Sequence, residues 1–157
     1  MGFASHLGPW LLGTVKNTTG TTPGTIRNMG ATIVGQADPV SFNDPAGSVA
    51  AVIPAGAIIT NIALYSSTTF VGTTPSVTVA INGTTIATAT LTSGTAFNGS
   101  LTLATTAAAG ALLSNVGSTD ATVTYTVGGT ALSAGVGTLL IEYMVRNSDG
   151  TQNPAQV

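Results

Sequence analysis

Charged residues are the scarcest feature of this 157-residue chain. Only 5% of the residues are Asp, Glu, Lys or Arg, against about 25% in a typical soluble domain. Three Lys and Arg residues cannot form the cationic face that nucleic-acid binding requires. The net charge of −2 and the mean hydropathy of +0.46 exclude the high charge and low hydrophobicity of disordered chains. We therefore expect a folded protein with no nucleic-acid partner.

Cysteine is absent and histidine occurs once, at position 6. The lack of cysteine excludes disulfides, a thiolate nucleophile and Cys-ligated metals. A lone histidine between Ser5 and Leu7 in an irregular segment is expected to be exposed or to fill a packing position rather than to act as a general base. The four Asp residues lack the spacing of a calcium-binding loop. We expect no metal and no cofactor.

Motifs for catalysis are also missing. The nearest approach to a Gly-x-Ser-x-Gly elbow is at Ser133, where Ala131 stands in place of the first glycine. Glu142 is the only glutamate, and a glycosidase needs two carboxyl groups facing one cleft. Arg146 lies four residues further on the same predicted strand face, which favours an ion pair or an interface contact for Glu142. We expect a protein that is not an enzyme.

Long apolar runs are missing as well. Residues 1–13 have no basic segment before Trp10, and Pro9 interrupts the apolar stretch, so they do not predict a signal peptide. The uncharged stretch at residues 46–65 contains two glycines and a proline. It therefore predicts two strands and a turn rather than a membrane span. We expect no membrane partner.

Short alternating runs of β-branched residues fill the chain from about residue 31 onward. Thr, Val and Ile favour strands, and no helix of about 10–15 residues separates the runs. This pattern predicts antiparallel sheets in a sandwich or a barrel. The predicted strands cover about residues 31–36, 49–53, 57–65, 76–81, 84–91, 101–104, 122–127 and 136–146.

Local signals refine this prediction. Asn82-Gly83 predicts a two-residue hairpin turn, because both positions accept a positive φ. Ile86 and Leu91 have opposite parity in the following strand, which predicts a bulge or a change of face. Gly128-Gly129 predicts a turn. Residues 104–113 contain good helix formers, but Gly110 interrupts a segment that is already short, so no helix is assigned.

Residues 1–30 are predicted to form an irregular N-terminal arm, and residues 31–157 a β-sandwich domain. Glycine and proline recur too often in the arm for a long regular element. Its apolar residues are too few to build a domain and too apolar for a free tail, and each contributes roughly 1.5–3 kcal/mol when buried. We expect the arm to contact a neighbouring subunit; packing on its own sandwich is the alternative. The predicted contact residues are Phe3, Trp10, Leu11 and Leu12.

The stretch from Pro45 to Thr119 contains no charged residue over 75 positions. A soluble monomer normally carries charges on its exposed strand faces and edges. Here Thr, Ser, Asn and Gly occupy those positions, and interface cores are likewise depleted in charge. We infer a chain that works within an assembly, with residues 136–146 and the uncharged strand faces as candidate contacts. The alternative is a monomer that its hydroxyl groups keep hydrated.

Several stretches are similar to a known class of protein. The segment GPWLLGTVKNTTGTTPGTIRNMG at residues 8–30 resembles the start of small structural proteins of tailed bacteriophages, particularly those that infect cyanobacteria and other marine bacteria. IPAGAIITNI at residues 53–62, TAFNG at residues 95–99 and the last two predicted strands also resemble that family. The resemblance spans most of the chain.

The resemblance implies a jelly-roll-like antiparallel β-sandwich of about eight strands that decorates or cements the head of a virion. Such proteins are commonly homotrimers, so the implied partners are further copies of the chain and the major capsid protein. The implied location is the virion, at the capsid surface. The resemblance carries over no catalytic residue.

Two other functions remain open from the sequence. The chain could be a tail or fibre component that binds host glycans, or a bacterial adhesin or enzyme on a β-sandwich. Glycan binding often uses exposed aromatic side chains. Three of the candidates, Tyr65, Tyr125 and Tyr143, occupy apolar positions of predicted strands, and we expect them in the core.

Overall fold

The structure, a computed structural model, describes residues 33–144. The arm and its four predicted contact residues lie outside this range. Within it, the strands pair antiparallel throughout and the predicted all-β sandwich is confirmed. The described elements are β1 (Ile33–Ser41), β2 (Ser48–Ile53), β3 (Ile58–Ile81), β4 (Thr84–Thr90), β5 (Asn98–Ser100), β6 (Thr102–Leu103), α1 (Ala107–Ser114) and β7 (Ala121–Met144).

Two 24-residue strands, β3 and β7, run through both halves of the molecule. They pair along their length, from Ile58 opposite Met144 to Ile81 opposite Val123. One half-sheet has the order β1–β7–β3–β5 and uses the C-terminal part of β7. The other has the order β2–β7–β3–β4–β6 and uses the N-terminal part of β7.

A single hydrophobic core lies between the two half-sheets. Its members come from both halves, which shows that the long strands wrap the sheet around one interior. The largest fully buried side chains are Phe70, Ile53, Ile62, Leu64, Ile81, Ile86, Leu139, Ile141, Val40, Val77, Val79 and Val123.

Bulges in the middle of β3 and β7 allow each strand to serve both halves. The core-facing residues of β3 have even numbers at Ile62 and Leu64 but odd numbers at Val77 and Val79. Four shifts of register between Ser66 and Ser76 produce this change. Each bulge adds local twist and redirects the side chains that follow it.

The sequence predicted these strand segments at the correct positions, but it assigned segments of one continuous strand to two separate strands. Residues 57–65 and 76–81 belong to one strand, and so do the described parts of the segments 122–127 and 136–146. Gly128-Gly129 does not reverse the chain, because Gly128 lies opposite Ser76 and Thr130 lies opposite Thr73. Gly129 instead takes a φ of 134° within a bulged stretch of the strand. These two mergers reduce the eight predicted segments to six, and β5, which the sequence did not predict, is the seventh strand within residues 33–144.

Other local predictions are confirmed. Asn82 and Gly83 have φ values of 49° and 77°, as the hairpin turn requires. The register of β4 shifts beside Ile86, which accounts for the change of parity. Residues 46–65 contain β2, a turn and the start of β3. No helix within residues 33–144 is long and apolar enough to span a membrane.

The short helix α1 is an element that the sequence analysis did not assign. Thr106 caps it, since its Oγ1 accepts a hydrogen bond from the amide of Ala109 at 3.3 Å. The methyl group of Ala109 is fully buried and belongs to the core. Capping and packing therefore offset the helix-weakening effect of Gly110.

We predict that Gly135→Ala strongly destabilises the fold. Gly135 has a φ of 143°, and a Cβ there would overlap the ring of Phe70, which is only 1% exposed. Backbone strain and overpacking together should lower the free energy of unfolding by about 2–4 kcal/mol, measured by urea denaturation.

Gly110→Ala is the matched control, because no atom lies within 4 Å of the Cβ it would add. This helical substitution should leave stability unchanged or raise it by up to about 1 kcal/mol. Equal stabilities of the two variants would show that the packing of Phe70 on Gly135 does not constrain the bend.

Candidate interaction surface

The outward side of the β1–β7–β3–β5 half-sheet is largely apolar. Leu139, Ile141 and Tyr143 belong to the core, so the alternating residues of β7 point outward. Cross-strand pairing places outward residues of β1 and β3 beside them. We call this surface the apolar face, and its four central rows are Ile33–Met144–Ile58, Gly35–Glu142–Asn61, Ala37–Leu140–Ala63 and Pro39–Thr138–Tyr65.

Packing within the apolar face confirms that these side chains share one surface. A Cβ on Gly35 would lie 3.2 Å from the Cδ1 atom of Leu140, so the leucine side chain covers the glycine. Ala63 is 1% exposed although it is not part of the core cluster. Its cross-strand partners are Leu140 on β7 and Ser100 on β5. At the margins of the face, Ile33 is 57% exposed and Tyr65 is 48% exposed.

Glu142 is the one ionisable carboxylate among these rows. It is half-buried, and its Oε2 accepts a hydrogen bond of 3.2 Å from Nδ2 of Asn61. The described part of the chain contains four carboxylates and no Lys or Arg. The cation predicted to pair with Glu142, Arg146, lies outside that part. Glu142 therefore forms no ion pair within residues 33–144.

The outward side of the other half-sheet carries hydroxyl groups instead. Thr126, Thr78, Thr88 and Thr102 stand in one row across four adjacent strands. We call this surface the threonine face. Its members are Thr122, Thr124, Thr126, Ser76, Thr78, Thr88, Thr90 and Thr102, and the exposed Val49 and Val52 of β2 lie at its margin.

The two outward faces differ in how they interact with water. Threonine hydroxyls donate and accept hydrogen bonds with solvent, whereas the apolar face gains free energy when water is removed from it. A large exposed apolar patch on a soluble protein commonly marks an interaction site. The apolar face, with half-buried side chains at its centre and exposed Ile33 and Tyr65 at its margins, is the candidate interaction surface of the described chain.

Sequence reasoning found only part of this surface. It separated the outward residues Leu140, Glu142 and Met144 of β7 from the inward ones, and burial confirms that division. Tyr125 and Tyr143 are buried as expected, but Tyr65 is not. The expectation for Tyr65 was wrong because the bulge between Ile59 and Asn61 reverses the parity of β3, which no local sequence pattern revealed.

Groups suited to catalysis or metal binding do not assemble in the described chain. No polar or charged side chain is fully buried there. No group of three or more His, Asp or Glu residues in residues 33–144 could hold a metal ion. Ser133 is exposed, in a stretch of β7 outside the core cluster.

The main polar cluster joins the end of β1 to β7. Oδ2 of Asp44 accepts hydrogen bonds from the hydroxyl of Tyr125 and the amide of Ser41, both at 2.6 Å. Burial and the bond to Asp44 raise the pKa of Tyr125 well above its ordinary value. Burial, followed by repulsion from Asp44, raises the pKa of Asp38. The Asp44 carboxylate therefore stabilises the turn after β1, and the hydroxyl of Tyr125 stays protonated, so both groups have a structural role.

We predict that Asp38→Asn stabilises the protein at neutral pH. A raised pKa in the folded state means that the fold disfavours the ionised carboxylate of Asp38. The folded state then binds more protons than the unfolded state, so this group lowers stability as the pH rises from about 4 through its folded pKa. Urea denaturation should give equal free energies of unfolding for variant and wild type near pH 3, and a higher one for the variant at pH 7.

Asp120→Asn is the control, because it removes the same charge from an exposed position and keeps an Oδ1 that can accept the hydrogen bond from the amide of Ala55. A variant Asp38→Asn that is no more stable than wild type at pH 7 would contradict the assigned cost of burying the Asp38 carboxylate beside Asp44.

Comparison with known proteins gives distant structural likenesses. No protein-family model and no curated protein matches the chain. A chain in the acidic stable capsid structure of Helicobacter pylori bacteriophage KHP30 is 14% identical, with a TM-score of 0.48, covering 73% of this chain and 89% of that one. A chain of the Bacillus endospore appendages, a family of disulfide-linked pili, is 15% identical, with a TM-score of 0.33, covering 80% of this chain and 100% of that one. At these values neither likeness assigns a function.

Proposed function

We propose that this protein is a structural subunit of a tailed-phage virion that decorates or cements the capsid by bridging capsomers as an oligomer. The observation that carries the proposal is the apolar face, an outward sheet surface with one carboxylate among its rows. A surface of this kind loses little desolvation energy on contact with another protein. Residues 8–30 and the later strands resemble phage structural proteins. This resemblance favours a phage virion as the assembly.

The contrast between the faces supports a subunit with one buried and one exposed side. The apolar face would lie against the assembly, and the threonine face would remain in water. Hydroxyl groups keep that side hydrated without charges, so salt has little to screen. Many symmetric copies would add weak contacts into a stable shell through multivalency.

A tail or fibre subunit that binds host glycans is the second candidate. The exposed ring of Tyr65 favours it, because an aromatic ring at a surface offers an apolar platform for a sugar. Asn98 lies directly opposite Tyr65 on β5 and offers an amide for hydrogen bonding. Copy number separates this candidate from the first.

The test is incorporation of tagged protein into phage particles, followed by quantitative mass spectrometry of the purified particles. The wild-type chain should be present in hundreds of copies. Ala37→Lys places a charge at an exposed position of the apolar face, and burial of that charge should reduce incorporation about tenfold in competition with wild type. Thr88→Lys places the same charge on the threonine face and should be incorporated like wild type.

The other possible results either favour the second candidate or contradict the proposal. Copy numbers of a few tens or fewer would favour the tail or fibre candidate, as would binding of the isolated protein to a glycan array. Absence of the chain from particles would overturn both virion roles. Equal incorporation of the two lysine variants would show that the apolar face is not the contact.

A further inference from the structure

We infer that residues 1–32 of a second copy of this chain dock on the apolar face. This inference deepens the proposed function, because it rests on the chain working as an oligomer and names what covers the face. Within residues 33–144, Ile33, Ala37 and Tyr65 are exposed on this surface. Three features of the chain select the occupant: charge, apolar content and length.

Charge distinguishes the N-terminal segment from the sandwich body. Residues 33–144 contain Asp38, Asp44, Asp120 and Glu142 and no cation. Residues 1–32 contain Lys16 and Arg27 and no Asp or Glu. The two parts therefore carry opposite formal charge, and opposite charges favour docking in a defined register.

A second sandwich body is a poorer occupant of the same face. Packing two apolar faces about a twofold axis would bring the Glu142 carboxylates of both copies into one interface. Like charges in a desolvated contact repel, and the body offers no Lys or Arg to neutralise them. A segment that carries cations avoids this repulsion and would satisfy Glu142.

The composition of the segment also fits the face. Its large apolar residues include Phe3, Trp10, Leu11 and Leu12, and the last three lie four to six positions before Lys16. The apolar face offers Leu140, Ala37 and the exposed Ile33 on either side of the Glu142 row. On docking, the apolar side chains of the segment would contact the apolar rows of the face, and Lys16 would lie near Glu142.

The length of the segment allows it to reach a neighbouring copy. It joins the body at Ile33, in the outermost row of the apolar face. The nine residues of β1 span about 30 Å, whereas 32 extended residues span up to about 105 Å. The segment is thus long enough to leave its own body and cover most of a partner's face.

Arg146 is the competing cation for Glu142, since both belong to the same predicted strand face. The competition can be tested with charge-neutral variants. If the segment docks through Lys16, Lys16→Gln and Glu142→Gln should weaken docking to the same extent, and the double variant should be no weaker than either single one. Arg146→Gln should leave docking unchanged.

Cross-linking of the full-length chain tests the inference, because the wild-type sequence has no cysteine. One preparation carries Thr14→Cys and a second, with a tag of different size, carries Ala37→Cys on the apolar face. Mild oxidation of the mixture should give the covalent heterodimer at least about tenfold faster than a mixture of Thr14→Cys with Thr88→Cys on the threonine face. Glu142→Gln in the Ala37→Cys chain should reduce this rate.

Equal rates with Ala37→Cys and Thr88→Cys would overturn the inference. So would a disulfide that forms only within one chain carrying both Thr14→Cys and Ala37→Cys, because the segment would then cover its own body. Circular dichroism of each variant reports whether it is folded. Incorporation into particles is scored separately, so a chain found in virions without this cross-link would overturn the docking and leave the proposed function standing.

Discussion

The pairing of β3 with β7 is the interaction on which the rest of the structure depends. The two strands run side by side through both half-sheets, and every other strand attaches to one of them or to a strand that does. Their register decides which residues enter the core and which form the two outward faces, because a slip of one residue would exchange the faces. The bulges near Phe70 and Gly135 shift this register, so that β3 and β7 keep core-facing residues in both half-sheets while the strands turn around the core. The difference between the apolar and threonine faces is therefore a consequence of one pairing.

The strand segments of this fold were predictable from sequence because alternation and turn residues are local signals. Thr122, Thr124 and Thr126 already show an outward hydroxyl row, and Asn82-Gly83 already shows the hairpin. The continuity of β3 and β7 was not predictable, since it depends on pairing between distant residues and on glycines that bend a strand without ending it. The exposure of Tyr65 was missed for the same reason. Helix α1 depends on burial of Ala109 and on its Thr106 cap, and burial is decided by tertiary structure.

The shortage of charge has a different meaning on each side of the molecule. On the threonine face, hydroxyl groups replace charges as the means of hydration. On the apolar face, the absence of charge lowers the cost of contact with a partner, and Glu142 marks a position where a cation would be favoured. The positive charges of the chain lie outside residues 33–144, and the body and the N-terminal segment carry opposite formal charge. Assembly through an arm and an apolar sheet follows from this division.

Hydroxyl-radical footprinting of the assembled and the dissociated protein measures whether assembly covers the apolar face. Tyr65 and Met144 lie on the apolar face and carry oxidisable side chains, whereas Val49 and Val52 lie beside the threonine face and serve as references. Assembly should sharply lower oxidation of Tyr65 and Met144 and leave oxidation of the two valines unchanged. Equal oxidation of Tyr65 and Met144 in both states would contradict the claim that this face is built to be covered.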